Sequence, residues 1–252
     1  MKRVVLHIGL TKTATTTFQF LCGENRLLLR RLGVDYFLGH EGFGYGHSEL
    51  FLSCLRPSAD TFADDKWNMS RQEIFDRTQQ RVSVFVEKSG VQSHVFCAGG
   101  LCFLRTDDEL TKLKSLFPID VQFKVILVER DKDEWLASWT KQIVSKPGRE
   151  LSRNPNSTMY VEPDTWLTDF EQLKNVWRSH FDDFTCIPYR REGLIEAICD
   201  EIGVRLPPSA LATRYKEKGQ ARQAPSRIER ARGKLRRLAN RADYWMRYDR
   251  HL

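Results

Sequence analysis

The sequence predicts an α/β fold, a central parallel β-sheet flanked by helices on both sides. Three observations point there. Short β-branched or apolar runs alternate with longer stretches of helical periodicity from Arg3 to Gly203, the order that builds right-handed crossovers. The first run, Arg3 to Gly9, closes on glycine and leads through a threonine-rich turn into a helical pattern. The run Val121 to Val128 is apolar except for Gln122 and Lys124, as a strand buried on both faces requires.

Each element has its own signal. Thr16 to Leu32 carries Phe18, Leu21, Leu28 and Leu32 at helical spacings and stops at Gly33, after which Val34 to Phe37 reads as a short strand. Gly39 to Ser48 holds four glycines and two histidines and is a loop, and Glu49 to Leu55 begins a helix. Ser70, with Glu73 as its capping-box partner, starts a helix to about Lys88 whose apolar positions include Ile74, Phe75, Val82 and Phe85. His94 to Ala98 is a buried strand closing on Gly99-Gly100. Thr106 or Asp107 caps a helix through Leu116. Asp131 to Ser145 is helical with Trp135, Leu136, Trp139 and Ile143 near one face. Lys146 to Pro163 is a polar loop long enough to gate a substrate or to be disordered. Trp166 to Phe181 is a helix, Phe184 to Pro188 a strand, and Gly193 to Ile202 a helix ended by Gly203.

The 252 residues, 41% of them hydrophobic, suffice for a sizeable core. No apolar run approaches the roughly 20 residues of a membrane-spanning helix, and Val95 to Leu104 is interrupted by Gly99 and Gly100. Nothing in Met1 to Gly9 resembles a secretory signal, so a soluble protein of the cytoplasm is expected. Six scattered cysteines without a CxxC pair suggest buried thiols rather than a zinc site or a disulfide framework. The net charge of +7 is uneven: residues 214–252 carry 13 Lys/Arg against 4 Asp/Glu, and residues 1–213 carry 27 against 29. A specific nucleic-acid partner is not expected of such a body. The chain divides into an α/β domain, residues 1–213, and a basic helical tail, residues 214–252. In the tail Ile228, Ala231, Leu235, Leu238, Ala242 and Trp245 recur every three or four residues, one apolar stripe suited to docking on the body or a second copy, or to an acidic membrane surface or polyanion.

Gly9 to Thr16 sits where a strand hands over to a helix, a place where main-chain N–H groups and the helix dipole favour an anion. Its register is close to a phosphate loop of the type GxxxxGK[ST], with Ala14 in the second glycine's place. A nucleotide triphosphatase needs its lysine at Thr15, whereas here the lysine is Lys12, three positions earlier, which disfavours ATP or GTP hydrolysis. The loop can still hold a phosphate through its N–H groups, the Lys12 ammonium and the hydroxyls of Thr13, Thr15, Thr16 and Thr17. Arg130 stands just past the carboxyl end of the Val121–Val128 strand, where ligands of open α/β sheets lie, and Ser138 follows about two helical turns later. Both could reach a further phosphate, or Arg130 could simply pair with Glu129, Asp131 or Glu134.

Together the two segments resemble the nucleotide-binding signatures of sulfotransferases that use 3′-phosphoadenosine-5′-phosphosulfate, PAPS. His7-Ile8-Gly9-Leu10-Thr11-Lys12-Thr13-Ala14-Thr15-Thr16-Thr17-Phe18-Gln19 is similar to that family's 5′-phosphosulfate loop, commonly HxGxxKTGTTxxQ, and so are Asn25-Arg26 and Gly33-Val34 downstream. Val125 to Gln142 resembles the 3′-phosphate motif, with Arg130 and Ser138 at the family spacing. Asp169 to Gly203, including Ile187-Pro188-Tyr189-Arg190-Arg191, resembles the closing helix, strand and helix. The resemblance covers about residues 4–205 and leaves the tail outside.

It implies a nucleotide-kinase-like three-layer P-loop fold and transfer of a sulfuryl group from PAPS to a hydroxyl or amine, with 3′-phosphoadenosine-5′-phosphate, PAP, as product. The acceptor expected from similar chains is a carbohydrate or glycolipid. Lys12 would bind the 5′-phosphosulfate and offset charge on the leaving oxygen, with Thr13, Ala14, Thr15, Thr16 and Thr17 completing the cradle. Arg130 and Ser138 would take the 3′-phosphate, Tyr189, Arg190 or Arg191 would approach the nucleotide's edge, and no metal is required. Ala14 is tolerated in place of glycine if its φ is negative. Many relatives carry a glutamate base where this chain has Cys97-Ala98-Gly99-Gly100. His47 is therefore the expected base, ahead of His40 and His7. The rival readings are a catalytically silent PAPS- or PAP-binding relative and a small-molecule kinase.

Overall fold

The computed structural model describes residues 1–39, 45–64, 67–145, 149–211 and 227–248. Its centre is a five-stranded, all-parallel sheet in the order β2-β3-β1-β4-β5. The strands are β1 (Arg3–His7), β2 (Val34–Tyr36), β3 (Ser93–Cys97), β4 (Gln122–Glu129) and β5 (Asp183–Pro188). β1 lies between β3 and β4, with Leu6 opposite both Phe96 and Val125. The chain thus winds first to one side of β1 and then to the other, which opens a crevice at the carboxyl ends of β1 and β4.

Alternation along the strands separates two cores. Val4, Leu6, Val125 and Leu127 face α4 (Arg71–Lys88), α5 (Asp107–Lys114), α6 (Lys132–Val144) and α7 (Phe170–His180) through Phe85, Leu113, Trp135, Trp139 and Trp177. Val5, Ile126 and Val128 face α1 (Thr15–Glu24), α2 (Arg26–Arg31) and α8 (Leu194–Ile202) through Phe18, Leu21, Leu29 and Ile198. The expected sheet covered by helices on both faces is the observed one. The capping box of Ser70 with Glu73 forms as the sequence indicates, and Thr106 rather than Asp107 caps α5, in a second box with Glu109.

Three local expectations are corrected and two short elements are added. The single helix over Thr16 to Leu32 is broken at Asn25, whose side-chain amide donates to Leu21 O at 2.9 Å; the break lets the fully buried Arg26 turn to Asp35 on β2, with Nε 2.7 Å from Oδ1. The helix expected from Trp166 starts only at Phe170. Asp169 accepts the Gln172 N–H as its cap, while Trp166 donates from Nε1 to Pro155 O and lies 4.4 Å beneath the Arg56 guanidinium. Gly99–Phe103 forms a 3₁₀ turn packed on α3 (Ser48–Leu52); a Cβ at Gly100 would fall 2.3 Å from the Phe51 ring, so only glycine fits. A short α9 (Pro208–Leu211) follows α8.

The third correction concerns the tail helix, α10 (Arg227–Arg247), which docks on α1 and α2 but not through its apolar stripe. Leu235, Leu238, Ala242 and Trp245 are exposed, while Asn240, Tyr244 and Tyr248 are buried. Asn240 donates to Gly23 O and Glu24 O, Asp243 pairs with Arg26 at 2.9 Å, and the Tyr248 hydroxyl donates to Asp35 at 2.7 Å. The buried Arg26–Asp35 pair still has hydrogen-bonding capacity to satisfy, and the tail meets it; a purely apolar face could not.

Candidate active site

β1 delivers the loop. Past His7 the ladder continues, Ile8 N donating to Ile126 O at 2.9 Å and Leu10 N to Val128 O at 3.1 Å, before the chain turns into α1. Within the turn Lys12 and Ala14 have positive φ, 72° and 60°, and Thr13 between them does not. Alternation of this kind aims successive main-chain N–H groups into one concavity, an anion nest. Ala14 is also the N-cap of α1 and offers no side-chain cap, and the first turn of α1 holds no acidic residue. The expectation of a negative φ at Ala14 is therefore corrected: the curvature of the nest requires the left-handed region, with alanine in place of glycine.

Side chains around the nest have capacity to spare. His7 Nε2, Thr11 Oγ1 and Thr15 Oγ1 are buried without a hydrogen-bond partner, and such atoms are costly in a folded interior unless something meets them. Thr13 Oγ1 is used internally, donating to Leu10 O. A Cβ on Gly9 would lie 2.9 Å from Thr13 Oγ1 and 3.1 Å from the His7 ring, so the approach needs glycine, and Gly99 closes the other side against Thr15. Lys12 and Thr16 are exposed and Thr17 half-buried.

β4 delivers the second group. The Arg130 guanidinium donates from Nη1 to Lys12 O at 3.5 Å, from Nε and Nη2 to Glu134 Oε2 at 3.0 and 2.9 Å, and stands 4.9 Å above the Tyr189 ring. Tyr189 is held by its own N–H, which donates to Glu129 O at 2.6 Å. The half-buried Ser138 shares a face of α6 with Glu134, one turn further on. Lys12, Arg130 and Tyr189 are thus gathered at one sheet edge. Arg190 instead turns to Gly193 O at 3.5 Å, and Arg190 and Arg191 are both exposed.

His47 does not fit the role of base. It is fully buried: the Cys97 N–H donates to Nδ1 at 2.8 Å, which leaves Nε2 to carry the proton and donate to Phe37 O at 2.5 Å. Burial pushes its pKa down to about 3. The imidazole is a neutral brace tying the ends of β2 and β3, with both nitrogens committed. His7, with Nδ1 2.9 Å from Cys97 Sγ, is likewise held near 3 by burial. His40 lies outside the described residues. In the polar loop, residues 146–148 lie outside them too, and the rest is pinned: the Thr158 N–H donates to Asp60 O, and Trp139 Nε1 donates to Thr158 O.

Two features escaped the sequence reading. Gln19 donates to Cys97 O at 2.9 Å and packs against Gly46, locking α1 to the β3 end. A cleft of about 1000 Å³ opens beside Arg130, lined by Glu129, Asp131, Trp166, Asp169 and Pro188 among others. Its walls come from three separate stretches of chain, which spacing alone could not join.

No protein-family model and no curated protein matches the chain. Among solved structures it is similar to a sulfotransferase from Alicyclobacillus acidocaldarius, at a TM-score of 0.50 and 12% identity, over 98% of this chain and 95% of that one. The sulfotransferase domain from the Synechococcus PCC 7002 olefin synthase aligns at a TM-score of 0.46 and 11% identity, over 96% and 94%. The chain shares the P-loop-like α/β fold of the first of these.

Proposed function

We infer that this chain is a sulfotransferase that moves a sulfuryl group from PAPS to a hydroxyl or amine of an acceptor, releasing PAP. The observation that carries the reading is the approach of Arg130 to the Lys12 carbonyl, which brings together the two segments that the reading assigns to the two phosphate groups. The nest at residues 12–14, the uncapped start of α1 and the spare donors of Thr11 and Thr15 suit the 5′-phosphosulfate. Arg130, with Ser138, suits the 3′-phosphate. The pair it makes with Glu134 is half on the surface and worth at most about 1 kcal/mol, so a phosphate dianion can displace the carboxylate.

In the reaction the acceptor oxygen or nitrogen forms a bond to sulfur while the bond from sulfur to the bridging phosphate oxygen breaks. That oxygen leaves with the electron pair, on PAP. Lys12 and the loop N–H groups offset the charge arriving there. The acceptor's proton passes to solvent or to a base other than His47. The acceptor we propose, a carbohydrate or glycolipid, rests on the family resemblance; the cleft beside Arg130 has no residue of the Lys12 loop in its lining and lies at the 3′-phosphate end of the proposed site. A kinase is disfavoured, because Thr15 occupies the lysine's place and is packed against Gly99.

Labelled PAPS incubated with a panel of glycans and phenols tests the reading: transfer, or slow PAPS hydrolysis, is expected. Titration adds the second arm. Arg130→Ala should weaken PAP by at least about tenfold, the scale of one charge-assisted contact, while leaving adenosine 5′-phosphosulfate unchanged. Equal losses for both ligands would remove Arg130 from the 3′-phosphate. Binding without transfer would favour the silent relative, a reading supported by the commitment of both His47 nitrogens.

A further inference from the structure

The outward face of α10 is unlike the rest of the surface. Leu235, Leu238, Trp245 and Met246 are 67%, 55%, 58% and 52% exposed, four of the nine large apolar side chains left exposed among the described residues. With 3.6 residues per turn they fall on one side of the helix, together with Ala239 and Ala242, and Asn240, Tyr244 and Tyr248 fall on the other.

The helix cannot roll to hide this face. Asn240 is bonded to two backbone carbonyls of α1, Asp243 to Arg26, and Tyr248 to Asp35, and the Tyr244 and Tyr248 rings lie 6.0 and 5.0 Å from Phe85. The polar and aromatic side is consumed by the body, and the apolar side is held outward. Lys234 and Arg241 are exposed beside it, in a tail segment with 13 basic and 4 acidic residues.

We propose that α10 seats the protein on an anionic lipid surface, lying in the plane of the headgroups with Leu235, Leu238, Trp245 and Met246 buried among the upper acyl chains. Charge complementarity decides between this and a second copy of the chain. Two copies joined by this face would bring two strongly basic segments together, whereas an anionic bilayer offers negative headgroups and an apolar layer at once. Area points the same way. Half-exposed side chains over about three turns supply a few hundred Å², well short of the roughly 800 Å² per partner of a stable interface. Trp245 suits the headgroup boundary, and Lys234 and Arg241 can extend their charges back toward the phosphates. No described helix is long and apolar enough to cross a membrane, so α10 would lie on the surface rather than span it. The inference does not depend on the sulfotransferase reading.

Co-sedimentation of the full chain with phosphatidylcholine vesicles, with and without roughly 30% phosphatidylserine, provides the test. Binding to the anionic vesicles alone is expected, falling as salt is raised. Leu238→Asp with Trp245→Asp, and separately Lys234→Glu with Arg241→Glu, should each reduce it by at least about tenfold. Both double variants should keep the thermal midpoint and the PAP affinity, because all four side chains are exposed. No binding at low salt would overturn the proposal. So would undiminished binding by the Asp variant, which would mark a plain polyanion contact, or a concentration-dependent dimer that the Asp variant dissolves.

Discussion

Ala14 carries a cost that only its position explains. A non-glycine residue in the left-handed region is about 1–2 kcal/mol above its right-handed form, and here φ is 60° at the turn that aims the nest. Ala14→Gly removes the strain at the price of a more flexible unfolded chain, for a net gain of about 1 kcal/mol in urea unfolding with PAP affinity unchanged or improved. A lower stability would show that the alanine is not held in that region. His47 gives the opposite sign. Truncation strands the Cys97 N–H and the Phe37 carbonyl in the core, at about 1–3 kcal/mol each. His47→Ala should therefore lose several kcal/mol in the unfolding assay, while the pH profile of transfer by the folded fraction keeps its shape. A lost acidic limb in that profile, with stability intact, would restore the histidine as base.

Between neighbouring elements, the pairing of Arg130 with Glu134 competes with the proposed phosphate. Glu134→Gln releases the guanidinium from a surface pair worth at most about 1 kcal/mol, so PAP should bind up to about fivefold tighter by calorimetry. A weaker complex would mean that the carboxylate orients Arg130 rather than blocking it. The elements also differ in how far they could be read in advance. β1, β4 and the Ser70 box were legible because alternation and capping are local. The meeting of Lys12 and Arg130 was legible because both follow carboxyl ends of parallel strands, which share one sheet edge. The break at Asn25 and the docked face of α10 were not, since both answer to Asp35, a buried carboxylate satisfied from residues more than 200 positions apart in sequence. Periodicity located the apolar stripe of α10 but could not say that Arg26 would prefer the polar side. The fate of His47 was hidden for the same reason: a loop histidine is buried or solvated according to whether two strand ends close on it.

For the whole molecule, three histidines fix how the fold responds to acid. His7 and His47 are held near pKa 3 and His94 near 4, all chiefly by burial, against an ordinary value of about 6.5 in the unfolded chain. Above 6.5 neither state binds these protons, and the fold is at its full stability. As pH falls below 6.5 the unfolded chain takes up three protons that the native state refuses until it reaches 4 to 3, so stability drops with pH across that window. Each group approaches a slope of about 1.4 kcal/mol per pH unit, and by pH 5 each has cost about 2 kcal/mol, roughly 6 for the three. That is a large part of the 5–15 kcal/mol typical of a domain. Unfolding free energies measured in urea at intervals from pH 7.5 to 5 should fall by about this amount, steepening below 6.5. Replacing His94 by asparagine should remove about a third of the slope, whatever it does to the value at pH 7.5. A curve flat down to pH 5 would mean that all three rings are reached by water or charged in the native state, and the brace assigned to His47 would fall with them.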